Sequence, residues 1–406
     1  MKIRAATGFL DPGWPINHRS IESIAGCLKA ARGALERMGY EVQTLRIATP
    51  PLAELERPVP PEERKEFAHQ LEAECFVHGV DYSALGPVLP GDAAGYKAVS
   101  EIIASTERVF ASALIAEPER GLSLSAISAV GELIQHISTL SADGFGNLRF
   151  AALANVGPGS PFFPAAYHSG TAPAMALATE SADLAVEIFQ SATSLNLARN
   201  RLVRRIEGNA AVLARVTEPI ASQHEVRFLG IDFSLAPYPE ELRSAGVAME
   251  ALGVPGVGLP GSLAAAAFMA DCVDKAQFPR TGFCGLFLPV LEDAALAKGA
   301  AEKQLSVADL LLMSAVCGAG LDTVPLPGNT PASAISATLM DLGALALRHD
   351  KPLTARLMPI PNKAAGDRIE FDFEYFTPTR VMWLPGVSAG GLLAGAEDVD
   401  LGPILH

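Results

Sequence analysis

Strand-like and helix-like stretches alternate along almost the whole chain, and this alternation restricts the fold more than any single motif. KIRAATGFL (2–10), YEVQTLRIA (40–48), RVFASALIA (108–116), NLRFAALANV (147–156), VRFLGIDFSL (226–235) and CGLFLPVL (284–291) are apolar runs of strand length. A short run at 321–326, LTARLMPI (353–360) and RIEFDFEYF (368–376) close the series. Helical patterns separate most of them, at 20–39, 60–79, 120–140, 172–215, 241–252, 260–276, 306–317 and 331–348. The first of these takes Ser20 as its N-cap and Gly39 as its stop. Strands alternating with helices predict βα units and a largely parallel sheet. No long linker, low-complexity tract or clean repeat divides the chain, so a single α/β domain over 1–406 is expected. In such folds reactive groups collect on loops after strand C-termini.

Apolar residues make up 49% of the 406 and charged residues 19%, which favours a large core over disorder. A net charge of −14 argues against nucleic acid and anionic membranes as partners. The N-terminus begins like a strand, not a signal peptide, and runs such as 263–270 are too short to cross a bilayer. Five scattered cysteines (27, 75, 272, 284, 317) form no CxxC pair, so neither a zinc knuckle nor a disulfide framework is expected. These features predict a soluble, reduced, cytoplasmic protein.

Polar groups stand out after several strand-like runs. GPGSPFFPAAYHSG (157–170) places His168 in a Gly/Pro/aromatic loop, where it is either structural or a proton-transfer group. FLGIDFSLAPYP (228–239) buries Asp232 in an apolar strand, so that carboxyl must be paired or its pKa must rise. SADGFGNLRF (141–150) sets Asp143 and Asn147 around two glycines, first as a turn and second as a ligand loop. SAVCGAGLDTVPLPGNT (314–330) puts Cys317, Asp322 and Asn329 about one short strand. The thiol is either a core group or a nucleophile facing a shared cavity with His168, Asp232 and Asp322. ARLMPIPNKAAGD (355–367) supplies Arg356 and Lys363, and an arginine in an apolar strand needs an acid or an anionic ligand.

GVSAG (386–390) fits a nucleophile elbow, but Pro385 interrupts the strand that should precede it and little chain remains to supply partners. No GK[ST] follows GPGS and no GxGxxG opens a helix, which excludes the common nucleotide-binding patterns.

PFFPAAYHSG, GIDFSLAPYP, LPVLED, AVCGAGLDTVPLPGNT and KPLTARLMPIPNKAAGDRIEF together resemble a prokaryotic domain-of-unknown-function family, number 711, overlapping uncharacterised protein family 0210. The resemblance implies a barrel like that of pyruvate formate-lyase and other glycyl radical enzymes: two half-barrels of parallel strands inside a ring of helices. Glycyl radical enzymes end in R-V-x-G and an aromatic; here RVMWLPG places Trp383 at the glycine position, so the radical chemistry is not carried over. The family's usual PGDT is PGNT here, with Asn329 replacing the carboxylate.

The expected function is therefore a radical-independent enzyme (lyase, isomerase or hydrolase) using acid/base or thiol chemistry on a small anionic metabolite. His168, Asp232, Cys317 and Asp322 are the candidate catalytic residues, and Asp143, Asn147, Asn329, Arg356 and Lys363 the candidate binding residues. The alternative is a non-catalytic small-molecule sensor on the same scaffold. No cofactor is predicted. A divalent metal on Asp232, Asp322 and His168 has no tight ligand spacing to mark it. Assembly into a homo-oligomer is compatible with everything above.

Overall fold

The computed structural model describes residues 1–170 and 172–404. It is a mixed α/β structure with a large, mostly parallel central sheet and surrounding helices. In chain order the first part holds β1 (Lys2–Phe9), α1 (His18–Arg37), β2 (Val42–Ala48), α2 (Arg64–Val77), β3 (Tyr82–Ala84) and α3 (Ala93–Ser105). Then come β4 (Val109–Glu117), β5 (Gly121–Ser123), α4 (Leu124–Ser138), β6 (Phe150–Ala154), β7 (Ala174–Glu180), α5 (Ala182–Ser191), α6 (Leu195–Gln223) and β8 (Arg227–Asp232). The last part holds α7 (Ala245–Ala251), α8 (Ser262–Lys275), α9 (Ala294–Ala301), α10 (Val307–Ser314), β9 (Gly320–Pro327), α11 (Ala332–Arg348) and β10 (Leu353–Ile360). Short pairs β11 (Arg368–Ile369) with β12 (Thr379–Arg380), and β13 (Asp398–Val399) with β5, complete it.

The main sheet runs β8-β7-β1-β2-β3-β4-β6-β10-β9. β1, β2, β3, β4 and β6 are mutually parallel, as are β7 with β8 and β9 with β10. The sets meet antiparallel at two seams, β1/β7 and β6/β10. The segment 284–291 is no strand, although its apolar run predicts one. It makes isolated parallel bridges, Leu286 to Leu235 beyond β8 and Pro289 to Asp322 in β9. Cys284 sits at φ +45° and Pro289 has no N–H, so a continuous ladder is unavailable there.

Helix starts follow local chemistry. Asn17, not Ser20, caps α1 by accepting the Arg19 N–H at 3.1 Å. Ser306 and Asp309 form a capping box on α10. The helix expected over 172–215 instead opens with β7, AMALATE, every residue of which is buried between β1 and β8. Its alanines and leucine read as helix formers, and burial on both sides overrides that preference. Of 368–376, only Arg368–Ile369 is strand.

Small strand residues leave room for aromatic loops. Ala5, Ala151 and Ala178 pack with Phe162 and Phe287, while Ala48, Ala84 and Ala176 pack with Phe163. The loop 157–170 thus lays its aromatics against the sheet, tied down by Thr7 Oγ1 donating to the Pro161 carbonyl at 3.0 Å.

Asp232, at the end of β8, fixes the bridging segment. Fully buried, it accepts from Ser234 Oγ (2.5 Å), Phe283 N (2.7 Å) and Cys284 N (2.9 Å). Gly282, at φ +69°, is required beside it, since a Cβ there would lie 2.3 Å from its Oδ2. Burial pushes the Asp232 carboxyl up to about 6 against the pull of those three hydrogen bonds. A raised carboxyl favours the folded state most fully below its unfolded value, and that contribution is lost as pH rises through about 6. The stability of the wild type over Asp232→Asn should therefore be greater at pH 5 than at pH 8, by about 1 kcal/mol. Urea unfolding of both proteins at the two pH values checks this. A gap that is constant or widens toward pH 8 contradicts the assignment.

Candidate functional site

A chain of alternating charges, its carboxylates buried, crosses the sheet. Asp322 in β9 accepts from Arg356 Nε, and Arg356 Nη2 donates to Glu292 Oε1 at 2.9 Å. Glu292 Oε2 accepts from Arg4 Nη2, and Arg4 Nη1 donates to Glu180 Oε2 at 3.2 Å. Glu180 Oε1 accepts from Arg243 Nη2, while Gln43 Nε2 donates to Oε2 at 2.8 Å. Outside, Arg243 reaches the exposed Glu240 at 3.4 Å. Glu180, Glu292 and Asp322 are all buried. Burial raises the Glu292 carboxyl, but Arg4 and Arg356 outweigh it and hold the group below the usual range. Burial lowers the Arg356 guanidinium, and Asp322 and Glu292 more than reverse that.

Local structure aims these groups. The β9/β10 register shifts between Ala355 and Leu357, so that Asp322 and Thr323 together oppose Arg356 in a β-bulge. Thr323 sits at φ +41°, which is unfavourable for a β-branched residue, and its Oγ1 accepts the Leu291 N–H at 3.3 Å. Strain is thus held next to Asp322. Glu292 is fixed by its neighbour. Asp293 accepts from Ser244 Oγ (2.6 Å) and Ala245 N (2.6 Å) at the start of α7, and from Leu296 N (3.0 Å) in α9.

The charges wall a cavity that opens to solvent. Arg4, Arg46, Glu292, Asp322 and Arg356 line it together with Tyr82, Tyr375 and several phenylalanines. Arg46 in β2 differs from the other arginines. Its Nε donates to Thr44 Oγ1 at 2.8 Å, and its guanidinium stands 5.0 Å from the Phe163 ring centre and 5.9 Å from that of Tyr82. Among the described residues no carboxylate pairs with it, and its two terminal nitrogens have no protein partner. Burial, then the nearby Arg4 cation, lowers its pKa to about 10, which leaves it protonated at neutral pH.

Of the nine sequence-derived site residues, the structure brings Asp322 and Arg356 together in this cavity. The others stand apart. His168 is buried beside Phe9, with ring centres 6.5 Å apart, and its backbone N–H donates to the Thr49 carbonyl at 3.0 Å. Asp232 holds the 282–285 backbone. Cys317 is buried just past α10, and burial pushes its thiol up, the opposite of a poised nucleophile. Asn147 is buried and donates to the Ile134 carbonyl at 3.1 Å. Asp143 is an exposed turn residue accepting from Ser141 Oγ (2.7 Å) and Phe145 N (3.1 Å). Asn329 and Lys363 are exposed. The expected convergence of His168, Asp232 and Cys317 with Asp322 on one cavity, and the expected anion pocket of Arg356 with Lys363, are therefore corrected. Arg356 is committed to two carboxylates, and Lys363 lies on a surface loop.

Arg4, Arg46, Glu180 and Glu292 escaped the sequence reading. The signal used for Arg356, an arginine inside an apolar strand, applies equally to KIRAATGF and VQTLRIA. The expected location also needs correction. Arg4, Tyr82 and Phe110 come from the N-terminal halves of β1, β3 and β4, and Arg46 lies just past the middle of β2, while Ala236 and Pro237 follow the C-terminal end of β8. The antiparallel seams bring opposite strand ends to one cavity. Among the described residues no group of three His, Cys, Asp or Glu is placed to hold a metal ion, and no helix is long and apolar enough to cross a membrane.

Glu292 is the hinge of the charge chain, since both its oxygens bond guanidinium groups. Glu292→Ala leaves Arg4 and Arg356 with one carboxylate each instead of two and should destabilise the protein by about 3–5 kcal/mol. Chemical denaturation of the purified variant measures this. A loss below about 1 kcal/mol contradicts a shared structural role.

Residues 12–374 match the family described as Uncharacterised ACR (DUF711). The chain is 32% identical to a UPF0210 protein of Pyrobaculum islandicum over 367 residues, covering 85% of this chain and 80% of that one. It is 31% identical to UPF0210 protein PAE3581 of Pyrobaculum aerophilum over 96% of this chain and 93% of the relative. A UPF0210 protein of Oleidesulfovibrio alaskensis is 30% identical over 83% of this chain and 78% of its own. With a match over nearly its whole length, the chain belongs to the DUF711 family, whose relatives carry the name UPF0210.

Proposed function

We propose that this protein is a radical-independent enzyme that binds a small organic anion on Arg46 and acts on it by acid/base chemistry. The observation that carries the reading is a cavity-facing arginine with no carboxylate partner among the described residues, beside a charge chain that is otherwise internally paired. An arginine's fork suits a carboxylate in two-point geometry. Asp322 supplies the base: its Oδ1 is held by Arg356, and its Oδ2 has no hydrogen-bond partner among the described residues. Tyr375 lines the same cavity and, as a phenol protonated at neutral pH, supplies the proton. Proton removal and return at adjacent positions serve a lyase, an isomerase or a hydrolase. The thiol route has no part in the proposal, since Cys317 lies outside the cavity lining.

The sensor reading has one observation in its favour. Glu292 has both oxygens committed to arginines and is held ionised, a poor state for proton exchange. The proposal also takes the sheet as closed into a barrel of two parallel half-barrels, like that of the glycyl radical enzymes. The bridges from 286 and 289 to the two sheet edges support it. Trp383, exposed and outside the cavity lining, supports chemistry without a glycyl radical.

Calorimetric titration with a panel of organic acids, followed by chromatography of the incubated ligand, tests the proposal. Arg46→Gln should weaken binding by 10- to 100-fold, about 1.5–3 kcal/mol for a hydrogen-bonded charge. Asp322→Asn should retain binding and lose turnover. Unchanged affinity in Arg46→Gln contradicts the binding site, and a ligand returned unaltered by the wild type favours the sensor.

A further inference from the structure

Resting on that reading of the cavity, we infer that its ligand is an aryl monocarboxylate: one net negative charge on a flat aromatic body. Two counts lead there. The first is charge. Lining the cavity, Arg4 and Arg356 are matched by Glu292 and Asp322, two of each sign, and behind them Glu180 is paired with Arg243, whose other partner, Glu240, is exposed to solvent. That set is neutral, and Arg46 alone remains. A ligand of net charge −1 neutralises the site, whereas a dianion or a neutral molecule leaves a half-buried charge uncompensated.

The second count is of rings. Tyr82 and Phe110 meet edge to face at 5.4 Å and 80°, and Phe110 and Phe163 do so at 5.4 Å and 62°. Phe162 and Phe287 form a second pair at 4.4 Å and 31°. All five rings line the cavity, and Arg46 lies over Phe163 and Tyr82. Aromatic walls reward another ring by edge and face contacts beyond the area they bury. An aliphatic acid fills such a slot with a flexible chain and forgoes those contacts. A carboxylate on Arg46 therefore carries its ring among these walls. A zwitterionic amino acid adds an ammonium group and loses the net charge that Arg46 requires.

One carbon skeleton provides the test, with each probe titrated separately into the full-length wild type and Arg46→Gln. 3-Phenylpropanoate is the expected class. Its amide removes the charge, phenylalanine adds an ammonium, benzylmalonate adds a second carboxylate, and butanoate removes the ring. 3-Phenylpropanoate should bind at least tenfold more tightly than each of the others, and Arg46→Gln should abolish its advantage over the amide. If butanoate, benzylmalonate, phenylalanine or the amide binds as tightly as 3-phenylpropanoate, the aryl monocarboxylate assignment is overturned. If that tighter ligand still depends on Arg46, the anion-site reading survives without the assignment. If no acid in the series shows Arg46-dependent binding, both fall together.

Discussion

The buried charge chain from Asp322 through Arg356, Glu292 and Arg4 to Glu180 is the constraint on which the rest of the structure depends. It ties β9 and β10 to the loop after the bridging segment, and that loop to β1. From β1 it crosses the antiparallel seam to β7. Each ion loses hydration on burial, and only close pairing of opposite charges offsets the loss. Every member must therefore keep its neighbour. This explains why Glu292 is anchored by Asp293 at the starts of two helices, and why a β-bulge sets Asp322 opposite Arg356.

Internal pairing also separates structure from function within one cavity. Arginines that bridge carboxylates are already neutralised, so their presence does not by itself make an anion site. Arg46 is distinguished by what it lacks. Aromatic faces and a threonine hydroxyl hold it, and these orient a guanidinium without neutralising it. The alanines of the neighbouring strands give the aromatic loops the space to reach it.

The sequence makes the alternating architecture legible where apolar periodicity is strong, as in α1 and α11. It hides β7, because an alanine-rich strand buried on both sides carries no β-branched run to set it apart from a helix. It misleads at 284–291, where hydrophobicity signals burial but φ-restricted and N–H-lacking residues prevent a ladder. At the site, Arg356 and Asp322 were readable because a charge in an apolar strand must find a partner. His168, Asp232 and Cys317 stand out in the sequence by chemical type, and type does not fix place. Asp232 spends its lone pairs on backbone donors, and Cys317 is core. Arg46 required knowledge of which arginines were already paired, and that is a property of the assembled sheet.

A crystal structure of the protein with 3-phenylpropanoate tests most directly whether the charge chain is self-contained and Arg46 alone receives the ligand. The account predicts carboxylate oxygens about 2.7–2.9 Å from Arg46 nitrogens, with Glu292 still bridging Arg4 and Arg356. A carboxylate that instead takes Arg4 or Arg356 away from Glu292, or that binds outside the cavity, contradicts it.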